Sequence, residues 1–192
     1  ISILNQKIIS KKNLKKISYF YSFIKGTSAQ RNQGVCYAKD NNIDYDWLIY
    51  LDDDIIFNEN FLKKSEKFIE ESRIKIFGPL INYGPKKTNI LGYLKRTFLF
   101  IFNAFQLYSS NPGSVSKSGW QTTHSDNKNL IYKCNWLPSG CLFLKKDLSK
   151  YKFDEYFLSY GYLEDLDFTY RINQTHTMIR NNKLEVSTSA NN

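Results

Sequence analysis

Little in this chain of 192 residues could serve as a covalent framework. Its three cysteines, Cys36, Cys134 and Cys141, form no CxxC pair and cannot all bond to one another. That argues against a zinc site or a disulfide scaffold, and a reducing, cytoplasmic compartment is expected. With four prolines and nine glycines the chain is neither collagen-like nor a low-complexity linker. No apolar run is long enough to span a bilayer; the most apolar segment, Thr97 to Leu107, is about half the ~20 residues required. The opening ISILNQKIISKKNLKK lacks the apolar stretch of a signal peptide. No repeat or linker divides residues 1–192, so one domain is expected. The missing initiator Met and the polar ending VSTSANN suggest a fragment of a longer protein.

What is present suits a globular domain, with 42% hydrophobic and 23% charged residues. Lys and Arg number 27 against 18 Asp and Glu, a formal charge of +9, and the pI is 9.3. Lys7, Lys11, Lys12, Lys15 and Lys16 would suit a basic nucleic-acid-binding module. The chain has no RNP-like or helix-turn-helix signature, however, and its sharpest charge clusters are acidic. Nucleic acid is therefore not the expected partner.

Strand-like and helix-like segments alternate. Ile17–Ile24 reads as a strand closed by Gly26, and Ser28 can cap a helix reaching about Lys39, with Val35 and Ala38 on its apolar side. Trp47–Leu51 is a short apolar run of the kind found in buried parallel strands, and it ends at Asp52-Asp53-Asp54. A helix begins at Asn58 or Asn60, with Phe61, Leu62, Phe68 and Ile69 at helical spacing, and Arg73–Ile81 reads as a strand. Leu91–Tyr108 suggests a helix. Two strands flank the Pro138-Ser139-Gly140 turn, a helix starts near Leu163, and Thr177–Val186 closes as a strand. The expected class is α/β, a mixed, mostly parallel sheet flanked by helices.

Four local patterns could carry chemistry. Asp52-Asp53-Asp54 sits where open α/β sheets bind ligands, beyond a strand's carboxyl end. Its carboxylates suit a hard cation such as Mg²⁺ or Mn²⁺, or merely a solvated turn. Glu164-Asp165-x-Asp167 opens a helix; its acids either complement the dipole or supply a general base. Arg31, near a helix start, could grip a phosphate or a carboxylate, or simply be solvated. Trp136-Leu137-Pro138-Ser139-Gly140 is a tight turn, either a plain hairpin or a close approach of backbone to ligand.

The order of these patterns resembles a family 2 glycosyltransferase with the GT-A fold. Matching residues are Gly26, Gln30, Arg31, Asn32 and Gly34; Leu51–Asp54; Pro112-Gly113 and Ser118-Gly119; Trp136–Gly140; Phe153-Asp154-Glu155; and Glu164-Asp165-x-Asp167 with Arg171. The resemblance spans Gly26 to Arg171. It implies inverting transfer of a sugar from a nucleotide-diphosphate donor to the hydroxyl of a glycan or lipid-linked acceptor. Asp54 and Asp52 would hold Mg²⁺ or Mn²⁺, Arg31, Asp52 and Asp53 would lie on the donor side, and Asp165 would be the catalytic base. Trp136, Gly140 and Glu164 would shape the acceptor side. The family's first strand has no counterpart here, so part of its nucleotide pocket is missing. Neither His124 nor His176 matches its metal-binding histidine.

A Mg²⁺-dependent nucleotidyltransferase is the enzymatic alternative, since it also needs carboxylate-held metal. Lys95-Arg96 beside the apolar Leu91–Tyr108 run adds a possible peripheral contact with the inner face of the membrane.

Overall fold

The computed structural model describes residues 24–84, 109, 111–157 and 163–189. The strand expected before Ile24 and the Leu91–Tyr108 helix lie outside them. Helix α1 (Thr27–Asp40) is followed by β1 (Trp47–Leu51), the two-residue β2 (Ile55–Ile56), α2 (Phe61–Glu71) and β3 (Ile76–Asn82). Then come β4 (Ile131–Cys134), β5 (Cys141–Lys145), α3 (Glu164–Asn173) and β6 (Met178–Thr188). The strands form one sheet in the order β1-β5-β3-β6-β2, and β4 also pairs with β6.

Apolar side chains cover both faces of the sheet. On one face Tyr50, Ile76, Leu142, Leu144 and Met178 meet Phe168 and Ile172 of α3, with Val35 of α1 packed alongside. Phe153 stacks on Phe168 at 3.9 Å between ring centroids. On the other, Phe77, Phe143, Leu184 and Val186 meet Phe61, Phe68 and Ile69 of α2, and Phe77 stacks on Phe143 at 4.4 Å. The molecule is thus an α/β domain whose mixed sheet has helices on both sides.

The expectation of a mostly parallel sheet fails among the described residues. Only β3 and β6 pair in parallel; β1–β5, β3–β5, β2–β6 and β4–β6 are antiparallel. The cause is β5. Strands β1 and β3 run the same way, joined by α2 as a crossover, but β5 enters reversed and separates them. An apolar run cannot reveal such an insertion, because a buried strand reads alike in either direction. Likewise the segments around Pro138 make no hairpin, since β3 and β6 lie between β5 and β4.

Local features also differ from expectation. Gly26, at φ 124°, occupies the cap of α1. Ser28 lies inside the helix instead, its hydroxyl buried without a partner. Leu62 is exposed, leaving Phe61 to make the buried contact of α2. Pro79 sits in central strand β3, where its missing N–H would break a ladder. The β3–β6 register jumps there from Pro79↔Asn181 to Leu80↔Glu185, so Asn182, Lys183 and Leu184 bulge from β6.

Candidate functional site

Asp52 follows the last residue of β1, and two contacts fix it. Its N–H donates to Gly140 O at 2.9 Å, and Arg31 Nη2 donates to its Oδ1 at 2.8 Å. Arg31 also donates from Nη1 to Glu164 Oε1 at 2.9 Å. One guanidinium therefore ties the end of β1 to the first residue of α3. Arg31 is mostly covered, with its side chain 14% exposed, and lies over the Phe153 ring at 5.2 Å. Thr27 Oγ1 adds a bond to Glu164 Oε1 at 3.3 Å. Arg31 is thus engaged by two protein carboxylates, the carboxylate grip among the uses expected of it, and is not simply solvated.

Gly140 is needed for space. A Cβ there would stand 2.9 Å from Asp52 Oδ2 and 3.5 Å from Ile81 Cδ1. The side chain of Asp52 can occupy its position only because residue 140 has none. Asp53 is exposed and Asp54 half-buried in the turn to β2. The Asp54 carbonyl accepts from Ser189 N at 2.8 Å, which pins that turn to the end of β6.

Leu163, at φ 73°, turns the chain sharply into α3. The left-handed region costs a branched side chain about 1–2 kcal/mol, and here that turn separates the roles of two adjacent acids. Glu164 is buried on Arg31. Asp165 is half-buried, and its Oδ1 accepts from Leu166 N at 2.7 Å. Burial, reinforced by the neighbouring charge of Glu164, raises the Asp165 pKa above the usual carboxylate value; Leu166 N–H, Arg31 and Ser139 N–H oppose this. Asp167 is paired with Arg171 at 2.8 Å.

The Phe153-Asp154-Glu155 segment is held by Asn32. Its amide exchanges bonds of 2.9 Å with Phe153 O and N and reaches Glu155 Oε1 at 2.8 Å. Trp136 faces elsewhere: its Nε1 donates to Thr122 O at 3.1 Å and its ring lies 4.7 Å from that of His124. Glu164, Arg31, Asp52 and Gly140 are therefore joined by successive contacts, Asp165 adjoins them through Glu164 and Ser139, and Trp136 anchors the preceding segment.

Two residues escaped the sequence reading. Tyr83, just beyond β3, has its phenol pKa raised by desolvation, against the influence of Arg180 and with that of Asp52, Asp165 and Asp54. The residue as a whole is nonetheless exposed, at 61%. Arg180 of β6 is 3% exposed. A lone tyrosine after a strand and a lone arginine within one carry no sequence pattern, so only the fold could find them.

No family model matches the chain, and no curated protein matches it. A solved structure, the crystal structure of A197 from STIV, is similar at 18% identity and a TM-score of 0.43, over 92% of this chain and 71% of that one. No described helix is long and apolar enough to cross a membrane.

Proposed function

We propose that this chain is the catalytic part of a GT-A glycosyltransferase, transferring a sugar with inversion from a nucleotide-diphosphate donor to an acceptor hydroxyl. The observation that carries this reading is the Arg31 bridge. It brings two acid motifs far apart in sequence, Asp52–Asp54 and Glu164-Asp165, to one place beyond a strand's carboxyl end.

The two motifs suit different tasks. Asp165 is paired with no described cation and has a raised pKa, which makes it a better proton acceptor than an ordinary carboxylate. It would take the acceptor hydroxyl proton as that oxygen bonds to the anomeric carbon, while the bond from that carbon to the diphosphate oxygen breaks. Glu164, spent on Arg31, holds the start of α3 in position. Asp52 keeps Oδ2 clear of Arg31, and with Asp54 it offers oxygen ligands of the type that Mg²⁺ or Mn²⁺ prefers. Among the described residues no three His, Cys, Asp or Glu side chains cluster as a metal cage. A cation there would be held by one or two carboxylates and completed by substrate phosphates. When bound there, it supplies counter-charge to the leaving diphosphate.

Donor affinity by calorimetry, measured beside turnover in the full-length protein, tests the division. Asp54→Asn should weaken donor binding and transfer together. Asp165→Asn should bind donor normally and slow transfer by about 10²–10⁴-fold, the range of a positioned base. Unchanged turnover in Asp165→Asn would remove Asp165 from the mechanism.

A further inference from the structure

Among the described residues Arg180 is a cation without an ion-pair partner. It leaves β6 on the face that carries Tyr50, Leu142 and Met178, and 3% of it is exposed. Its Nε donates to Asn182 Oδ1 at 3.1 Å, a neutral partner presented by the β6 bulge. Its Nη1 is buried and hydrogen-bonds to nothing. All 18 Asp and Glu residues of this sequence fall among the described residues, and none forms an ion pair with Arg180. No Asp or Glu side chain of the sequence therefore neutralises it. An arginine does not escape by losing its proton, so the desolvation cost of a buried charge stands uncompensated.

The surroundings make room for this group. Gly78 of β3 lies in the row between Leu142 and Arg180, and a Cβ there would come within 3.8 Å of Arg180 Nη1 and 3.2 Å of Leu137 Cδ2. The guanidinium thus crosses β3 over a glycine in the sheet interior, where a side chain would ordinarily strengthen the strand. Leu137 leads into the turn whose Gly140 packs on Asp52. A Cβ at Gly78 would also stand 3.6 Å from Cys141 O, next to Gly140, so Arg180 approaches the strand end on which Asp52 packs. The exposed Tyr83 follows β3 at its end, its phenol under the influence of both Arg180 and the aspartates. A buried polar group left unsatisfied beside a candidate site is a feature that calls for a ligand.

We propose that Arg180 is a second anion-binding element beside the acid cluster, receiving a phosphoryl oxyanion of the donor's diphosphate that enters past Tyr83. The planar fork of arginine suits two oxygens of one phosphate. This rests on the glycosyltransferase reading for the identity of the anion, but not for its existence. The donor's diphosphate would then meet positive charge from two sources, the cation at Asp52 and Asp54 and the guanidinium of Arg180.

The test uses the whole protein in excess chelator, so that no cation can bind at the acid cluster. Inorganic diphosphate is titrated by calorimetry and by thermal shift into wild type, Arg180→Met and Arg180→Lys. Wild type should bind and gain several degrees in Tm. Arg180→Met should lose at least tenfold in affinity and have a ligand-free Tm no lower than wild type, because an apolar chain of similar length carries no desolvation cost. Arg180→Lys should also weaken binding, through loss of the fork, and it keeps the test decisive if Arg180→Met does not fold. Unchanged affinity in Arg180→Lys or Arg180→Met, or no binding by wild type, would overturn the proposal. Glucuronate, run in parallel, distinguishes a carboxylate from a phosphate; an equal or stronger response to it would overturn the diphosphate assignment. Sugar transfer is assayed separately. Diphosphate binding through Arg180 without transfer would sink the transferase reading alone, and transfer without that binding would sink this inference alone.

Discussion

At the scale of single residues, the site depends on two adjacent acids being treated differently. Glu164 is neutralised by Arg31, whereas Asp165 forms no described ion pair and carries the cost of burial. That cost makes a stability prediction. A carboxyl whose folded pKa lies above its unfolded ~3.9 binds more protons in the folded chain, so its contribution falls as pH rises through the interval between the two values. Above that interval the ionised, desolvated Asp165 is a net burden. Asp165→Asn should therefore raise Tm at neutral pH, and the gain should shrink as pH falls through that interval toward the ordinary carboxylate value. Melting curves across pH check this, and a lower Tm for the variant at pH 7 would contradict it. Gly140 gives the converse case. Gly140→Ala places a methyl 2.9 Å from Asp52 Oδ2, so it should push that carboxylate aside and weaken metal-dependent donor binding about tenfold or more. Calorimetry with and without metal reads that effect.

At the scale of elements, the segment before β4 is built around His124. Its Nδ1 bonds Tyr132 Oη at 2.9 Å, its ring packs on Trp136, and its Nε2 is buried without a partner. Burial, then the charge of Arg180, lowers its pKa to about 3, against a contact with the Trp136 backbone. A free histidine titrates at ~6.5, so the unfolded chain binds the extra proton first. The stability His124 contributes is complete above about 6.5 and is lost as pH falls toward about 3. Wild-type Tm should decline through that window more steeply than that of His124→Gln. Equal slopes would show that the ring protonates without cost. Gly113 belongs to the same unit: it sits at φ 67°, and a Cβ would fall 2.5 Å from His124 Cε1. Gly113→Ala combines backbone strain with a clash, so it should destabilise the protein by about 2 kcal/mol or more, read by chemical denaturation.

For the molecule as a whole, the sheet brings together the ends of β1, β3 and β6, which all run the same way, with β5 reversed between β1 and β3. Acids therefore gather at one end of the sheet, and Arg31 is the described cation that joins them. A cluster so rich in carboxylate is expected to act with a cation. Transfer or donor hydrolysis by the full-length protein should stop in chelator and return with Mn²⁺ or Mg²⁺. Full activity in excess chelator would shift the burden of charge neutralisation to Arg180 and Arg31.

What the sequence determined by itself was local. Trp47–Leu51 reads as a strand because a short apolar run is cut off by acids, and the segment from Asn58 or Asn60 reads as a helix because Phe61, Phe68 and Ile69 recur at helical spacing. The acid triplet after β1 and the acid pair opening α3 were legible for the same reason, each being a charge cluster fixed by its neighbours in the chain. Strand direction was not legible: β5 is as apolar as a parallel strand would be, and only its pairing with Trp47–Leu51 reveals the reversal. The partners of Arg31 were equally hidden, since Asp52 and Glu164 come from distant parts of the chain and meet only when β1 and α3 pack together. Tyr83 and Arg180 carry no pattern at all. Arg180 takes its meaning from burial and Tyr83 from the charges that act on it, and those are properties that tertiary structure alone decides.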